Sequence, residues 1–405
     1  MNKVDSVYLH LLNNIMMYGY EKDTRAGHVK SVFGAQLRFD LKEGFPLLTT
    51  KKVFTKGILH ELLWFLQRSY NSHNSMNIEY LIRNGVHIWD DDAYRWFKNT
   101  ISKEFKPKQY MVCVNDDETS VLHKGEFEYW IENELRKDDA EWLQNITKEE
   151  FIDLTLQRVE IWGSFMSRYR FGDLGPVYGK QWRCFGGNGY TDQIQNIIDT
   201  LRTNPNDRRM LCVAYNPDQI GDMALPPCHV MFQFYTRGLT DNERWESYRK
   251  RHLDEPLNEH GTNEYVETYG EAVSPWTRKE RKKELKKELD KEGIPVYGLS
   301  CMWVQRSVDC ACGLPFNIAS YAFLTHMIAS LVNMEPDMLI GSLGDCHIYS
   351  NHFDGVREQL GRKGNELPIL KINRKVEKIE DFKYDDFEII GYNPDPPIKY
   401  PLNVG

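Results

Sequence analysis

Two prolines precede Cys228 in ALPPCHVMFQFY, residues 224–235, and fix the backbone where a loop enters a strand. A free cysteine is ordinarily a small buried hydrophobe. It turns reactive where nearby positive charge stabilises the thiolate. Arg208 and Arg209 in NDRRM and Arg306 in QRS offer such charge. His229, next to Cys228, reads as structural rather than as its base, because adjacent strand residues point to opposite faces. Glu61 is the one acid in the apolar run ILHELLWFL, residues 58–66. A buried carboxylate is costly, so it needs partners or a task. A positioned thiol can split one difficult reaction into two easier steps through a covalent adduct. Guanidinium forks would suit an anionic substrate.

The elements that must hold these groups can be read from periodicity. Residues 5–20 carry apolar positions at helical spacing, and residues 29–40 alternate like a strand. Residues 58–66 read as a buried helix, 230–235 and 299–308 as core strands, and 317–332 as a second buried helix. Two stretches differ in texture. Residues 98–170 are charged and aromatic with a weak helical pattern, as in EWLQNITKEEFIDLTLQRVEIW, and residues 238–297 are more polar still. In the second stretch Ser274-Pro275 reads as a helix start, and the charged run that follows reads as a solvated helix ending at Gly293. Both stretches read as surface insertions, about 98–170 and 238–297, in a single α/β domain spanning 1–405.

A chain of 405 residues with 41% hydrophobic content can bury a large core. The net charge of −8 argues against general nucleic-acid or membrane-surface binding. No secretory signal or bilayer-spanning apolar run is visible, so the eight cysteines are expected as reduced thiols. A zinc site built on Cys301, Cys310 and Cys312 lacks the paired motifs that structural zinc requires, and no metal is expected.

Eight motifs then occur in order: GFPLLTTKK, HELLWFL, GDLGPVYGKQWR, ALPPCH, QRSVD, GLPFNIASYA, GDCHIYSNH and DFEIIGYNPDP. Together they resemble the thymidylate synthase family and cover most of the chain outside the two insertions. The resemblance implies an α+β fold with a large mixed β-sheet flanked by helices, paired sheet to sheet in a homodimer. It implies a cytoplasmic enzyme (in the host cytoplasm, if the source is viral). It also implies transfer of a one-carbon unit from 5,10-methylenetetrahydrofolate, a co-substrate, to carbon 5 of dUMP.

By the same resemblance Cys228 adds to carbon 6 of the uracil, and Glu61 organises proton transfer with help from Tyr178. Arg25, Arg306 and Ser307 hold the phosphate, joined by Arg208 and Arg209 from the dimer partner. Gln305 belongs to the same binding motif. Asn317 reads the base, although an asparagine before a helix can also be its N-cap. Asp309 contacts the ring, His347 and Tyr349 hold the ribose hydroxyl, and Trp89 and Asp90 face the folate.

The sequence also departs from its family. Val304 stands where tyrosine is usual, and Cys310-Ala311-Cys312 replaces bulky apolar residues ending in leucine. Asp92 stands where many members have a second tryptophan, and the tail YPLNVG replaces a short apolar ending. The Arg25 loop is one residue shorter than usual. Loss of bulk where water must be excluded leads us to expect 5-hydroxymethyl-dUMP as product, with thymidylate and dihydrofolate as the alternative. An inactive nucleotide-binding module and an unrelated cysteine hydrolase are the remaining alternatives, the latter without a cysteine, histidine and acid arrangement of its own in the sequence.

Overall fold

The computed structural model describes residues 1–67, 75–101, 107–113, 143–163, 168–186, 191–252, 283 and 285–401. The start of the second insertion's helix at Ser274-Pro275 and the last four residues of the tail lie outside them.

Six strands form the main sheet: β1 (Tyr20–Thr24), β2 (Gly27–Asp40), β6 (Leu211–Val213), β7 (His229–Gly238), β8 (Tyr297–Asp309) and β9 (Glu335–Tyr349). Their order is β1-β2-β9-β8-β7-β6. The β8–β9 pair is parallel and the others are antiparallel, which makes the sheet mixed. Parallel neighbours need a crossover. That crossover is the 19-residue helix Gly313–Leu331, buried along most of its length.

Strand alternation divides the sheet into two faces. One cross-strand row runs Leu37, Gly341, Trp303, Phe232, Cys212. Its leucine, tryptophan, phenylalanine and cysteine are buried. Trp303 stacks on Tyr321 of the crossover helix at 5.4 Å. The next row, Gln36, Ser342, Val304, Met231, Val213, points the other way and is half-buried or exposed.

The first helix, Lys3–Tyr18, is capped by Asn2, whose side chain accepts from the Asp5 amide at 2.8 Å. Asp5 is buried, and its carboxylate accepts from the amides and hydroxyls of Thr49 and Thr50. One acid thereby ties the GFPLLTTKK loop to the sheet-packed helix and answers four polar groups that would otherwise be buried unpaired.

Some boundaries differ from the sequence reading. The crossover helix starts at Gly313 rather than Asn317. Pro315 is tolerated because first-turn amides have no intrahelical acceptor. Asn317 therefore lies inside the helix and is not its N-cap. The helical pattern read through 141–162 stops at Leu156. Arg158 takes a positive φ of 57°, and Val159–Gly163 (β4) is a strand of a separate three-stranded sheet with Pro107–Cys113 (β3) and Arg168–Arg170 (β5). In the second stretch, helix Asp241–His252 opens with reciprocal Thr240–Glu243 bonds. A helical segment over 285–291 ends before Gly293 at φ +64°.

Candidate active site

Cys228 sits immediately before β7, half-buried. Its amide donates to the Tyr178 hydroxyl at 2.8 Å, and its carbonyl accepts from the Arg306 amide at 2.9 Å. Arg306, from β8, donates through Nε to the Pro227 carbonyl at 2.9 Å and through Nη2 to that of Pro226 at 2.8 Å. The same Nη2 lies 3.9 Å from Sγ of Cys228. The two prolines thus do more than stiffen the approach. Without amides of their own, they present carbonyls that clamp a guanidinium against the thiol. Burial pushes the Cys228 thiol above its ordinary 9.0, Arg306 pulls it back, and Asp92 pushes it up. The positive charge beside it is the lever that favours thiolate.

A cavity of about 440 Å3 opens on this thiol. Lys22, Thr24, Arg25, Arg306 and Ser307 line it, a cationic and hydroxyl-bearing set suited to an anion. Asp309, Asp345, His347 and Tyr349 add further polar groups, while Ile88, Leu225, Cys312 and Gly313 are less polar parts of the lining. Asp91, Asp92 and Arg95, from helix Asp90–Trp96, complete it.

Behind the wall lies a second layer. Glu61 accepts from Trp89 Nε1 at 2.7 Å, and burial raises its carboxyl from 4.5 to about 7 despite that bond. The Tyr178 ring meets those of Trp89 and His229 edge-on, at 6.0 and 5.4 Å. His229 lies 3.3 Å from the Tyr321 hydroxyl, and burial lowers it to about 4, so it is neutral near pH 7. Gln305, buried, donates from Nε2 to Asn317 Oδ1 at 3.1 Å and accepts from Trp303 Nε1 at 3.2 Å. That pair fixes the orientation of the Asn317 amide. Asp309 Oδ1 accepts from the amides of Ala311 and Cys312, at 2.9 and 3.1 Å.

A thymidylate synthase family model matches residues 6–258 and 276–404. The chain belongs to the thymidylate synthase family. It is 35% identical to a thymidylate synthase of Homo sapiens over 409 aligned residues, covering 98% of this chain and 90% of that protein. It is 34% identical to a thymidylate synthase of Listeria monocytogenes serotype 4b (strain F2365) over 400, covering 98% and 99%. As a member of this family it is a folate-dependent one-carbon transferase acting on dUMP, with 5,10-methylenetetrahydrofolate as co-substrate. Among the described residues no helix is long and apolar enough to cross a membrane.

Of the residues singled out from the sequence of this thymidylate synthase relative, Cys228, Arg25, Arg306, Ser307, Asp309, His347 and Tyr349 meet at one cavity. Glu61, Tyr178, Trp89, Gln305 and Asn317 stand outside its lining, linked to it or to one another through the bonds and ring contacts above. Asp90 is buried and turned to His87, with Oδ2 2.8 Å from Nδ1. Arg208 and Arg209 are exposed and away from this cavity, and Arg209 forks onto Asp207 at 3.0 and 2.6 Å. The three cysteines weighed for zinc do not converge on one point among the described residues. Cys301 is buried in β8, Cys310 bonds the Val308 carbonyl, and Cys312 faces the cavity.

Two expected wall positions move. Val304 is on the outer sheet face, paired with Met231 and Ser342, because it alternates with the inward Trp303 and Gln305. Ala311 is fully buried, and its carbonyl accepts from Lys51. Neither lines the cavity, so their small size opens no path to it. Sequence reasoning passed over several residues that matter. Lys51 is buried beneath Cys312 and Asp309, lowered to about 8 by burial, with Nζ 4.4 Å from the Tyr400 ring centre. The signal was a lysine inside an apolar motif. Arg95 bonds Asp92 across one helical turn, and its i,i+3 spacing in DDDAYRW could have marked it.

Proposed function

We propose that the one-carbon transfer ends with water rather than hydride, giving 5-hydroxymethyl-dUMP. The observation that carries this reading is the wall of the cavity. Asp92 and Cys312 share it with Cys228, where the family resemblance expects a second tryptophan and a leucine. Enzymes exclude water from reactive intermediates with packed apolar walls. An ionisable acid does the opposite, and a cysteine fills less of the wall than a leucine.

The early chemistry is common to both outcomes. Cys228 adds as thiolate to carbon 6 of the uracil, and carbon 5 becomes nucleophilic enough to take the one-carbon unit. Arg306, clamped by Pro226 and Pro227, favours the thiolate and turns its remaining donors to the phosphate with Arg25 and Ser307. Asn317, held by Gln305, reads the base; Asp309 contacts the ring; His347 and Tyr349 hold the ribose hydroxyl. Glu61, whose carboxyl burial raises to about 7, organises loss of the carbon 5 proton through water, assisted by Tyr178. Trp89 and Asp90 back the folate side. The folate supplies the one-carbon unit and, in methylation, the hydride. The apolar side chains of Ile88 and Leu225 in the lining suit its rings.

The enzyme acts as a homodimer, with Arg208 and Arg209 completing the neighbour's phosphate site. The half-exposed outer sheet face supports this, since Leu211 and Tyr235 are 39% and 63% exposed there. Residues 98–170 and 238–297 are insertions in the shared scaffold, and the family match breaks at 259–275. The free thiols of the described cysteines suit the cytoplasm.

The test is the product made from dUMP and 5,10-methylenetetrahydrofolate. Hydroxymethylation releases tritium from carbon 5 without dihydrofolate absorbance, and its product is heavier than thymidylate by one oxygen. Dihydrofolate formed one for one with tritium release, with a product of thymidylate mass, makes this a thymidylate synthase, as the named relatives favour. Tight dUMP binding without tritium release marks the inactive module.

A further inference from the structure

Asp92 has no part in the residue roles above, yet it lies in the cavity with Cys228 and close enough to act on its thiol electrostatically. We infer that Asp92 is the general base for the final step, taking a proton from the water that attacks the exocyclic methylene. This rests on the hydroxymethylation reading and names the residue that carries it out.

The neighbouring acids are otherwise engaged. Asp91 pairs with Lys148 at 2.6 Å and is 54% exposed. Asp90 is turned to His87, Asp309 is held at Oδ1 by two amides with Oδ2 3.6 Å from His352 Nδ1, and Asp345, also in the cavity, pairs with Lys22 through Oδ2 and lies 3.5 Å from His347 Nδ1 through Oδ1. Glu61 is bonded to Trp89 and lies outside the cavity lining. Asp92 is held by Arg95 through Oδ1, while Oδ2 has no hydrogen-bond partner among the described residues. Its side chain is 21% exposed, sheltered but reachable by water. Burial raises its proton affinity above the ordinary 3.8, against the opposing pull of Arg95 and Arg25, which strengthens it as a base.

The step balances. Once tetrahydrofolate has left, the pyrimidine carries a C5=CH2 group and a bond from C6 to Cys228 sulfur. Water oxygen bonds to the methylene carbon, and the displaced π electrons become the ring enolate. The water proton passes to Asp92. The enolate then re-forms the C5=C6 bond and expels the Cys228 thiolate, and Asp92 returns its proton to solvent. No atom changes oxidation state beyond the transfer itself, so no oxidant or reductant is needed.

The experiment measures hydroxymethyl-dUMP formed per tritium released by the full-length enzyme, with 2-mercaptoethanol present as a competing nucleophile. The wild-type product is determined first. In Asp92→Asn the ratio should fall at least about tenfold, since loss of a general base slows its own step by roughly a hundredfold or more while the competing thiol still traps the methylene. The missing product should appear as the thioether of the trapped methylene. Asp92→Glu should restore much of the hydroxymethyl yield, which a purely structural aspartate would not predict. Asp92→Ser guards against a misfolded Asn variant, and the ratio is read from whichever binds dUMP. A wild-type ratio and rate in Asp92→Asn or Asp92→Ser overturns the role of Asp92 while the product reading stands. A wild-type enzyme that makes only thymidylate overturns the product reading, and this role with it.

Discussion

Glu61 keeps its carboxylate at a cost that can be measured. Its carboxyl is raised from 4.5 to about 7 by burial, against a single hydrogen bond from Trp89. The folded state therefore binds the proton more tightly than the unfolded chain. Its favourable contribution, up to about 3 kcal/mol, is complete below the unfolded value and is lost as pH rises through about 7. Glu61→Gln keeps an acceptor for Trp89 without the charge. It should match the wild type in urea unfolding at pH 4.5 and exceed it at pH 8.5, while losing most turnover. A pH-independent stability difference would show that Glu61 is solvated in the folded state. At this scale the sequence was uneven. Cys228 stood out because two prolines precede it, and Glu61 because an acid interrupts an apolar run. Val304 was misplaced because a departure from a motif does not say which face of the strand it occupies; only the register with Met231 and Ser342 does. Arg306 was one of three arginines the sequence offered to the thiol; what selects it, the clamp made by the Pro226 and Pro227 carbonyls, was not legible there.

The elements were legible wherever one period dominated. The first helix, the helix Thr55–Leu66 and strands β2, β7 and β8 lie where the apolar spacing puts them, within a few residues at each end. Competing signals caused the errors. At GLPFN, asparagine advertised a cap while the helix had begun at Gly313. At QRVEIW, a left-handed Arg158 ended a helix whose period ran on in the sequence. The loop GDLGPVYGKQWR shows why some glycines outrank propensity. Gly175 has φ +74°, and a β-carbon there would stand 1.8 Å from the Asp222 carbonyl oxygen. Backbone cannot yield as a side-chain tip can, and the short helix that follows starts at Tyr178, the acceptor of the Cys228 amide. Gly175→Ala should cost roughly 3–5 kcal/mol, among the largest single-residue effects. Thermal unfolding and dUMP binding measured together would show whether site geometry fails with the fold. A loss below 1 kcal/mol would mean that the loop has an alternative path.

Across the whole molecule the unspent feature is the outer face of the sheet. A single six-stranded sheet with helices on one side leaves its other side to water unless something covers it. Here two neighbouring rows, Gln36 to Val213 and Arg38-Ile340-Met302-Gln233-Leu211, mix apolar and polar side chains that are only half-buried or exposed. Arg208 and Arg209 are exposed just before β6, the edge strand that carries Leu211, and away from this chain's own cavity. A two-fold pairing through this face would bring each patch against its copy and could carry the arginines to the partner's phosphate. The pairing makes a prediction that neither subunit can satisfy alone. Cys228→Ala should be inactive for want of a nucleophile. A double variant with Arg208→Glu and Arg209→Glu should be inactive for want of phosphate contacts in its partner's site. Mixed in equal amounts and allowed to exchange, half the dimers become hybrids, and each hybrid holds one intact site. That site joins Cys228 of one subunit to the arginines of the other, so activity should recover to about a quarter of wild type. Sedimentation at working concentration should show a dimer. A fully active monomer would remove the shared site, and a mixture that stays inactive despite proven exchange would assign both arginines to some other task.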